Sequence, residues 1–316
     1  MFLHPLVFVL AGLIALYLGA TSLVKGSASL ALRLGLSPLV IGLTVVAFAT
    51  STPELFVVLK ASFEGREAIS IGNVIGANML NTGLVLGLTA LISPLKVDSQ
   101  LVRIDVPIMI LAAVALLFAA ADGSISRTDG ALFLSAITAY LVFSVVMARR
   151  EQNRRVLEEY REEAPRVSTR TGFDLGFITL GVALLAGGAE LLVSGAVVIA
   201  RGAGLSDAVV GITIVAAGTT LPELVTSVLA TVKKSGDIAV GNVVGSSIFN
   251  VFCILGIAAT IRPLDASGVT RGELLAMVAL ALIVLPVMWR GHVISRAEGG
   301  LLVAGYCGAL AYVLSA

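Results

Sequence analysis

The sequence predicts an all-α integral membrane protein with ten transmembrane helices, arranged as two inverted five-helix repeats whose central helices are broken. Three observations lead to this fold class. Apolar residues occupy 58% of the 316 positions and charged residues only 13%, roughly half the charged share of a soluble domain. The charges collect between apolar runs of about 20 residues, the length of a membrane-spanning helix. The chain also contains two copies of one long pattern.

Ten apolar runs follow one another along the chain. They cover about residues 5–23, 37–60, 69–93, 103–121, 129–148, 173–194, 206–231, 238–261, 272–290 and 299–315. Strand-like alternation is absent from these runs, which disfavours a membrane barrel. A polar connection follows the fifth run, so we expect a first repeat at 1–148, a cytosolic linker at 149–172 and a second repeat at 173–316.

The internal repeat has a constant offset of 169 residues. LSPLVIGLTVVAFATSTPEL from Leu36 aligns with LSDAVVGITIVAAGTTLPEL from Leu205, and ISIGNVIGANMLN from Ile69 aligns with IAVGNVVGSSIFN from Ile238. Between positions 37 and 94, 22 of 58 residues are identical to their counterparts. Because each half has an odd number of spans, the second copy should enter the membrane from the opposite side, as in many secondary transporters.

The basic residues predict how the chain is oriented, because lysine and arginine concentrate in cytosolic loops. If the N-terminus lies outside, 15 of the 21 basic residues fall in inner loops and six in outer loops. We therefore expect a multi-pass protein of the cell (plasma) membrane with both termini outside and the linker in the cytosol. The net charge of +1 disfavours a nucleic-acid partner.

Polar residues inside the spans cluster in two motifs, TSTPE at 50–54 and TTLPE at 219–223. Proline lacks a backbone donor and clashes with the carbonyl four residues earlier, so both helices should break and leave unpaired carbonyls near Ala47 and Ala216. A membrane tolerates such carbonyls only around a cavity or an ion. With hydroxyls and carboxylates they form an oxygen set that suits Ca²⁺ and Na⁺. The side chains of this set are Thr50, Ser51, Glu54, Thr219, Thr220 and Glu223.

A second duplicated motif, GNVIGANMLN at 72–81 and GNVVGSSIFN at 241–250, supplies small and amide residues. We interpret its glycines as packing positions that let helices approach closely, which should bring Asn81 and Asn250 near the carboxylates. An ionisable residue inside a span is by default a functional candidate. The remaining acidic residues near span ends are interpreted as interfacial or helix-pairing groups without acidic counterparts in the other repeat. They are Asp105, Asp122, Asp129, Glu190 and Glu298.

These paired motifs resemble the two α-repeats of the sodium/calcium exchanger family, of prokaryotic type, within the calcium/cation antiporter superfamily. The resemblance covers the whole chain and implies that spans two, three, seven and eight surround the ion sites while spans one and six slide across them. It implies Ca²⁺ ligation by Glu54 and Glu223 with oxygens of Thr50 and Thr219. The remaining implied ligands, for Na⁺, are Ser51, Thr220, Ser246, the carbonyls of Ala47 and Ala216, and Asn81 and Asn250 in the middle.

Three positions depart from that family's usual pattern. Ala49 stands where members usually carry glycine, and Ala77 stands where the second repeat keeps a serine, Ser246. We expect the sodium site closest to Ala77 to be weaker than its mirror image. Potassium-dependent relatives typically carry aspartate where this chain has Asn250, so we expect no potassium co-transport.

The expected function is secondary active exchange of Na⁺ for Ca²⁺ by alternating access. The ions would bind as substrates without a cofactor, and the chain would work as a monomer in the lipid bilayer. Two alternatives remain open: a proton-coupled Ca²⁺ antiporter on the same scaffold, and a passive cation channel. A channel is less favoured because two repeats around central carboxylates suit occlusion. We expect no enzymatic activity, since the hydrolase motifs for which we looked are absent from the sequence.

Overall fold

The computed structural model describes residues 3–150, 171–202 and 216–315. Most of the predicted linker at 149–172 and the beginning of the seventh predicted span, at 206–215, lie outside these residues. Helices form nearly all of the described chain, as the sequence predicts.

Each repeat contributes six helices to the described part of the chain. Those of the first repeat are α1 (Leu3–Leu34), α2 (Pro38–Thr50), α3 (Thr52–Phe63), α4 (Glu67–Ile92), α5 (Leu101–Ala119) and α6 (Arg127–Arg150). Those of the second repeat are α7 (Thr171–Gly202), α8 (Ala216–Thr219), α9 (Leu221–Val232), α10 (Gly236–Ile261), α11 (Arg271–Trp289) and α12 (Arg296–Ser315).

Seven of these helices are long and apolar enough to cross a membrane, and the bent pair α2–α3 makes an eighth if it is one span. This count, taken over the described residues, is lower than the ten predicted spans. The other two predicted spans correspond to α9, which has only 12 described residues, and to α12, which is not among the seven. The predicted boundaries at 5–23 and 173–194 are too short, because α1 and α7 each continue for 32 residues.

Helices α1 and α7 pack in opposite directions through matching glycine stripes. The stripes repeat every seven residues and consist of Gly12, Gly19 and Gly26 in α1 and Gly181, Gly188 and Gly195 in α7. A Cβ atom added at Gly12 would lie 2.6 Å from the backbone nitrogen of Leu192, and one added at Gly26 would lie 2.8 Å from the carbonyl oxygen of Asp174. The two backbones are therefore too close for any other residue to fit without movement.

The centre of the molecule is formed by α4 and α10, which are the most buried of the candidate spans. Two glycines of α10 pack directly against the backbone of α2. A Cβ atom at Gly241 would lie 2.8 Å from the Leu39 carbonyl oxygen, and one at Gly245 would lie 2.6 Å from the Leu43 carbonyl oxygen. The packing role predicted for these two glycines is confirmed. The equivalent partner segment in the second repeat, at 208–212, lies outside the described residues.

Four two-residue strands add a small β component that the all-α prediction did not include. Antiparallel pairs join β1 (Leu95–Lys96) to β4 (Val293–Ile294) and β2 (Ser124–Ile125) to β3 (Leu264–Asp265). Each pair connects a loop of one repeat to a loop of the other, and the offset of 169 residues exchanges the two pairs. Strands of two residues are too short to produce a visible alternation in the sequence.

Candidate ion-binding site

Both proline motifs lie at a break between two helices, as predicted. Helix α2 ends at Thr50, and Ser51 leaves helical geometry with φ −81° and ψ 5° before α3 begins. Pro53 stands in the first turn of α3, where a helix does not need its missing N–H. The axes of α2 and α3 differ by 44°. In the second repeat, Thr220 separates α8 from α9, and Pro222 occupies the first turn of α9.

The Ala47 carbonyl is not unpaired, contrary to the expectation from the sequence. It accepts a hydrogen bond from the backbone N–H of Ser51 at 3.0 Å. The hydroxyl oxygens of Thr50 and Ser246 also lie 3.3 Å and 3.4 Å from it. The physical reason is that Pro53 removes the donor for the carbonyl four residues earlier, which belongs to Ala49.

Glu54 and Glu223 are fully buried at the beginning of α3 and α9. The Ser51 hydroxyl donates a hydrogen bond of 3.2 Å to Oε1 of Glu223. Neither oxygen of Glu54 accepts a hydrogen bond of ordinary geometry from a described residue, although Thr219 lies beside that carboxylate. Each carboxylate therefore faces the other repeat, and the two are close enough to repel each other. Two such buried groups require a cation or protons to stabilise them.

Asn242 is a site residue that the sequence interpretation missed. Its Oδ1 accepts a hydrogen bond from the Thr50 hydroxyl at 2.9 Å. Its Nδ2 donates to the Ser227 hydroxyl at 3.0 Å and to the backbone carbonyl of Glu223 at 3.4 Å. One buried amide thus connects the end of α2 with the beginning of α9. The signal that identifies it is the duplication of the motif asparagine at positions 73 and 242.

Asn81 and Asn250 lie where α4 and α10 widen into π-helical turns, which begin at Leu80 and at Asn250 itself. Such turns within α-helices are frequent at functional sites. Both asparagines are fully buried. The Asn250 amide donates to Oδ1 of Asn78 at 3.0 Å, and the Asn78 amide donates to the carbonyl of Ser247 at 3.1 Å. Asn78 is a second contact that the sequence interpretation did not identify.

The second helix break is described from Ala216 onward, so this residue is located only by its position at the beginning of α8. Thr219 is half-buried beside Glu54. The N–H of Thr220 donates to the carbonyl of Ala217 at 3.2 Å, and the Thr220 hydroxyl is buried without a hydrogen-bond partner among the described residues. The break therefore brings two of the three predicted hydroxyl and carbonyl residues to the carboxylates.

Six buried side-chain oxygens of the predicted ligand residues have no hydrogen-bond partner among the described residues. They are both carboxylate oxygens of Glu54, Oε2 of Glu223, Oγ1 of Thr220, and Oδ1 of Asn81 and of Asn250. Unpaired buried oxygens are unfavourable, whereas an all-oxygen set is what hard cations bind. Within the described residues no group of three or more His, Cys, Asp or Glu side chains could hold a metal ion. Two carboxylates and neutral oxygens are thus the available ligands.

Asp105 is fully buried, so its interpretation as interfacial is wrong. Its Oδ1 accepts a hydrogen bond from the Tyr140 hydroxyl at 3.0 Å, and its Oδ2 accepts one from the Gln100 side-chain amide at 3.4 Å. These contacts connect α5 with α6, which agrees with a helix-pairing role. The partners come from distant parts of the chain, and no local pattern in the sequence indicates them.

Asp129 and Glu298 are separated by 169 residues, so the expectation that they have no acidic counterpart was also wrong. Asp129 accepts hydrogen bonds from the backbone and hydroxyl of Ser126 at 2.9 Å and 2.6 Å. Glu298 accepts the equivalent bonds from Ser295 at 2.8 Å and 2.7 Å. Both carboxylates therefore cap the first turn of a helix, α6 or α12.

A multi-pass helical protein that buries two carboxylates among neutral oxygens, where two repeats meet, has the construction of a cation transporter. The chain belongs to the sodium/calcium exchanger family. The model of the sodium/calcium exchanger protein family matches residues 4–146 and 173–315, one segment in each repeat. Members of this family are exchangers, and the ions that they handle are Na⁺ and Ca²⁺.

Similar proteins match along nearly the whole chain. The inner membrane protein YrbG of Escherichia coli is 34% identical over 302 residues, which cover 94% of this chain and 93% of YrbG. The sodium/calcium exchanger MaX1 of Methanosarcina acetivorans is 33% identical over 331 residues, which cover 94% and 95% of the two chains. The solved structure of the sodium-calcium exchanger NCX_Mj, soaked without Na⁺ and Ca²⁺, is 34% identical with a TM-score of 0.83 and covers 99% of this chain and 100% of that one.

Proposed function

We propose that this chain exchanges Na⁺ for Ca²⁺ across the membrane by alternating access, with the ions bound as substrates and without a resident cofactor. One observation carries the proposal: two buried carboxylates from opposite repeats meet among neutral oxygens that lack hydrogen-bond partners. Such a set is stabilised by one divalent or by two monovalent cations. Because both ions need the same carboxylates, they cannot bind fully at once, and this competition couples their movements.

The proposed Ca²⁺ ligands are the carboxylates of Glu54 and Glu223 with oxygens of Thr50 and Thr219. Sodium ions share the two carboxylates. Their other proposed ligands are Ser51, Thr220, Ser246, the carbonyls of Ala47 and Ala216, and the side-chain oxygens of Asn81 and Asn250. The described contacts support this set, since Ser51, Thr50 and Ser246 all lie within hydrogen-bonding distance of another member.

Alternating access needs an element that moves across the site, and the pair α1–α7 has suitable packing. Its buried apolar residues form a cluster with α2, α9 and the beginning of α10. A separate and larger cluster is centred on α4, α5, α10 and α11. Two distinct cores allow one to slide over the other without opening either. We infer that α1 and α7 move as a pair while the helices around the carboxylates stay in place.

The proposed topology has ten spans in two inverted repeats at 1–148 and 173–316, joined by a cytosolic linker at 149–172. The opposite directions of α1 and α7 and the exchangeable strand pairs support the inversion. The excess of basic residues on one side supports both termini outside a plasma membrane. Both repeats contribute to one site, so a monomer in the lipid bilayer is sufficient for transport.

Transport into proteoliposomes tests the proposed function. Na⁺-loaded vesicles that contain the purified protein should take up radioactive calcium when diluted into Na⁺-free medium, and a pH gradient alone should drive no uptake. Glu54→Gln and Glu223→Gln should abolish the uptake. Glu64→Gln, in the exposed loop after α3, is the matched control and should retain it.

Two results would contradict sodium-driven exchange. Uptake driven only by the pH gradient would favour the proton-coupled antiporter, since a carboxylate that releases Ca²⁺ can also take up a proton. Uptake that needs no counter-ion gradient would favour a passive channel. Each outcome is read in the same vesicles by changing only the internal solution.

A further inference from the structure

Three oxygens at the break of the first repeat form a nearly regular triangle. The Thr50 Oγ1 atom lies 3.3 Å from the Ala47 carbonyl oxygen, and the Ser246 Oγ atom lies 3.4 Å from each of these oxygens. All three residues are buried. We refer to this group as the oxygen triangle.

The dimensions of the oxygen triangle suit a Na⁺ ion better than they suit hydrogen bonds. Hydroxyl hydrogen bonds are usually about 2.7–2.8 Å long, so edges of 3.3 Å and 3.4 Å are long. Na⁺ is close in size to Ca²⁺, whose oxygen ligands lie at about 2.3–2.6 Å. At that radius, two neighbouring oxygens of an octahedral shell are separated by about 3.4 Å.

The Thr50 hydroxyl is oriented so that its oxygen remains available to a cation. Its shortest hydrogen bond, of 2.9 Å, goes to Oδ1 of Asn242. That carboxamide is itself held by its bonds to Ser227 and to the backbone of Glu223. The hydroxyl proton therefore points toward Asn242, and the lone pairs of the Thr50 oxygen face the triangle. Asn242 is a positioning residue for this site.

The second repeat cannot form an equivalent triangle. The counterpart of Ser246 is Ala77, which is buried and carries only a methyl group. One corner of the mirror-image group is therefore missing. The asymmetry comes from this chain's own two halves.

The charge of the site sets a second limit on the number of ions. Glu54 and Glu223 supply two negative charges, while Asn81 and Asn250 in the middle are neutral. The undescribed segment at 208–215 contains no charged residue. One Ca²⁺ or two Na⁺ neutralise the site, whereas a third Na⁺ would leave a buried net positive charge without a partner, which is strongly unfavourable.

We propose that this chain exchanges two Na⁺ for one Ca²⁺ and moves no net charge, an inference that rests on the proposed function. One Na⁺ binds at the oxygen triangle beside the carboxylates. The second lies between the carboxylates, where Asn250 offers its free Oδ1 while its amide nitrogen is held by Asn78. No third Na⁺ site forms beside Ala77.

The test measures the gradients at which net Ca²⁺ flux stops in proteoliposomes, with the membrane potential set by K⁺ and valinomycin. The stopping point should follow the square of the Na⁺ ratio and should not move with voltage. A voltage-dependent stopping point, shifted about 50-fold in the Ca²⁺ ratio per 100 mV, would mean one net charge per cycle and would overturn this proposal. The proposed function would then stand. Absence of any Na⁺-driven Ca²⁺ flux would overturn both.

Two variants test the site assignments. Ser246→Ala removes one corner of the triangle and should raise the Na⁺ concentration for half-maximal exchange about tenfold, with little change for Ca²⁺. Ala77→Ser combined with Asn250→Asp restores the missing corner and adds a negative charge, so exchange should become voltage-dependent. Unchanged Na⁺ dependence in Ser246→Ala, or a double variant that transports without voltage dependence, would contradict the proposal.

Discussion

The Ser51 hydroxyl of the first repeat donates a hydrogen bond of 3.2 Å to Oε1 of Glu223 in the second repeat. Ser51 is the residue at which the first helix breaks, and Glu223 follows the break in the other half. The backbone distortion of one repeat thus places a donor on the carboxylate of the other. This contact makes the geometry of each half of the ion site depend on the other half.

We predict that Ser51→Ala weakens Ca²⁺ binding about tenfold, because a hydrogen bond to a charged group contributes about 1.5–3 kcal/mol. The measurement is the Ca²⁺ concentration for half-maximal exchange in proteoliposomes. Thr52→Ala is the matched control, since the neighbouring Thr52 hydroxyl bonds only to the carbonyl of Phe48 in its own helix. An equal loss in both variants would point to a general disturbance of the break.

Replacement of Asn242 by alanine should abolish exchange while the protein still folds. The variant loses the bonds to Thr50, to Ser227 and to the Glu223 backbone, and it leaves buried groups without partners, which costs about 1–3 kcal/mol each. Ser247→Ala serves as the control, because that hydroxyl bonds within its own helix to Val243. Transport is measured together with monodispersity in detergent. Normal exchange by Asn242→Ala would remove this residue from the site.

The glycine stripes predict a sharp difference between two adjacent positions of α7. A Cβ atom at Gly188 would lie 2.9 Å from the backbone nitrogen of Leu16 in α1, whereas one at Gly187 has no described atom within 4 Å. Gly188→Ala should therefore separate the helices and slow exchange at least tenfold, since close approach of the backbones needs a small residue. Gly187→Ala should transport at the normal rate. Similar rates for the two variants would show that the pair does not move as we infer.

The sequence predicted those features that depend on local chemistry. The two helix breaks follow from Pro53 and Pro222, because proline acts on its own turn in any context. The burial of Glu54 and Glu223 followed from their place inside apolar runs. The repeat offset paired these residues correctly because both halves kept the same polar positions.

Features that depend on contacts between distant segments were missed. The role of Asn242 requires knowing that α2 and α9 meet at α10, and the contact between Asp105 and Tyr140 joins two different helices. The glycine stripes were visible as a seven-residue period, but glycine is common in membrane helices and its partner helix cannot be read from one segment. The Ala47 carbonyl shows a different kind of error, since the proline rule was applied two residues too early.

Exchange should be independent of potassium. Asn250 is neutral, and its amide nitrogen is already occupied by Oδ1 of Asn78, so one side-chain oxygen remains for an ion. Ca²⁺ uptake driven by a Na⁺ gradient is measured with choline or K⁺ as the balancing cation inside and outside. The rates should agree in both solutions. A rate that requires K⁺ would show that a neutral amide can hold a co-transported potassium ion at this position.

An ion pair at one end of the α1–α7 pair should stabilise it. Arg33 at the end of α1 lies 3.0 Å from the fully buried carboxylate of Asp174 at the beginning of α7. Removing one member of a buried pair costs about 3–5 kcal/mol, because the other charge stays buried. We therefore expect Arg33→Ala to lower the Tm in detergent by several degrees. The double variant Arg33→Ala, Asp174→Ala should recover most of that loss, whereas Arg66→Ala, which breaks an exposed pair of 3.7 Å with Glu64, should change the Tm very little. A double variant that is as unstable as Arg33→Ala would show that lost packing, and not an unpaired carboxylate, causes the change.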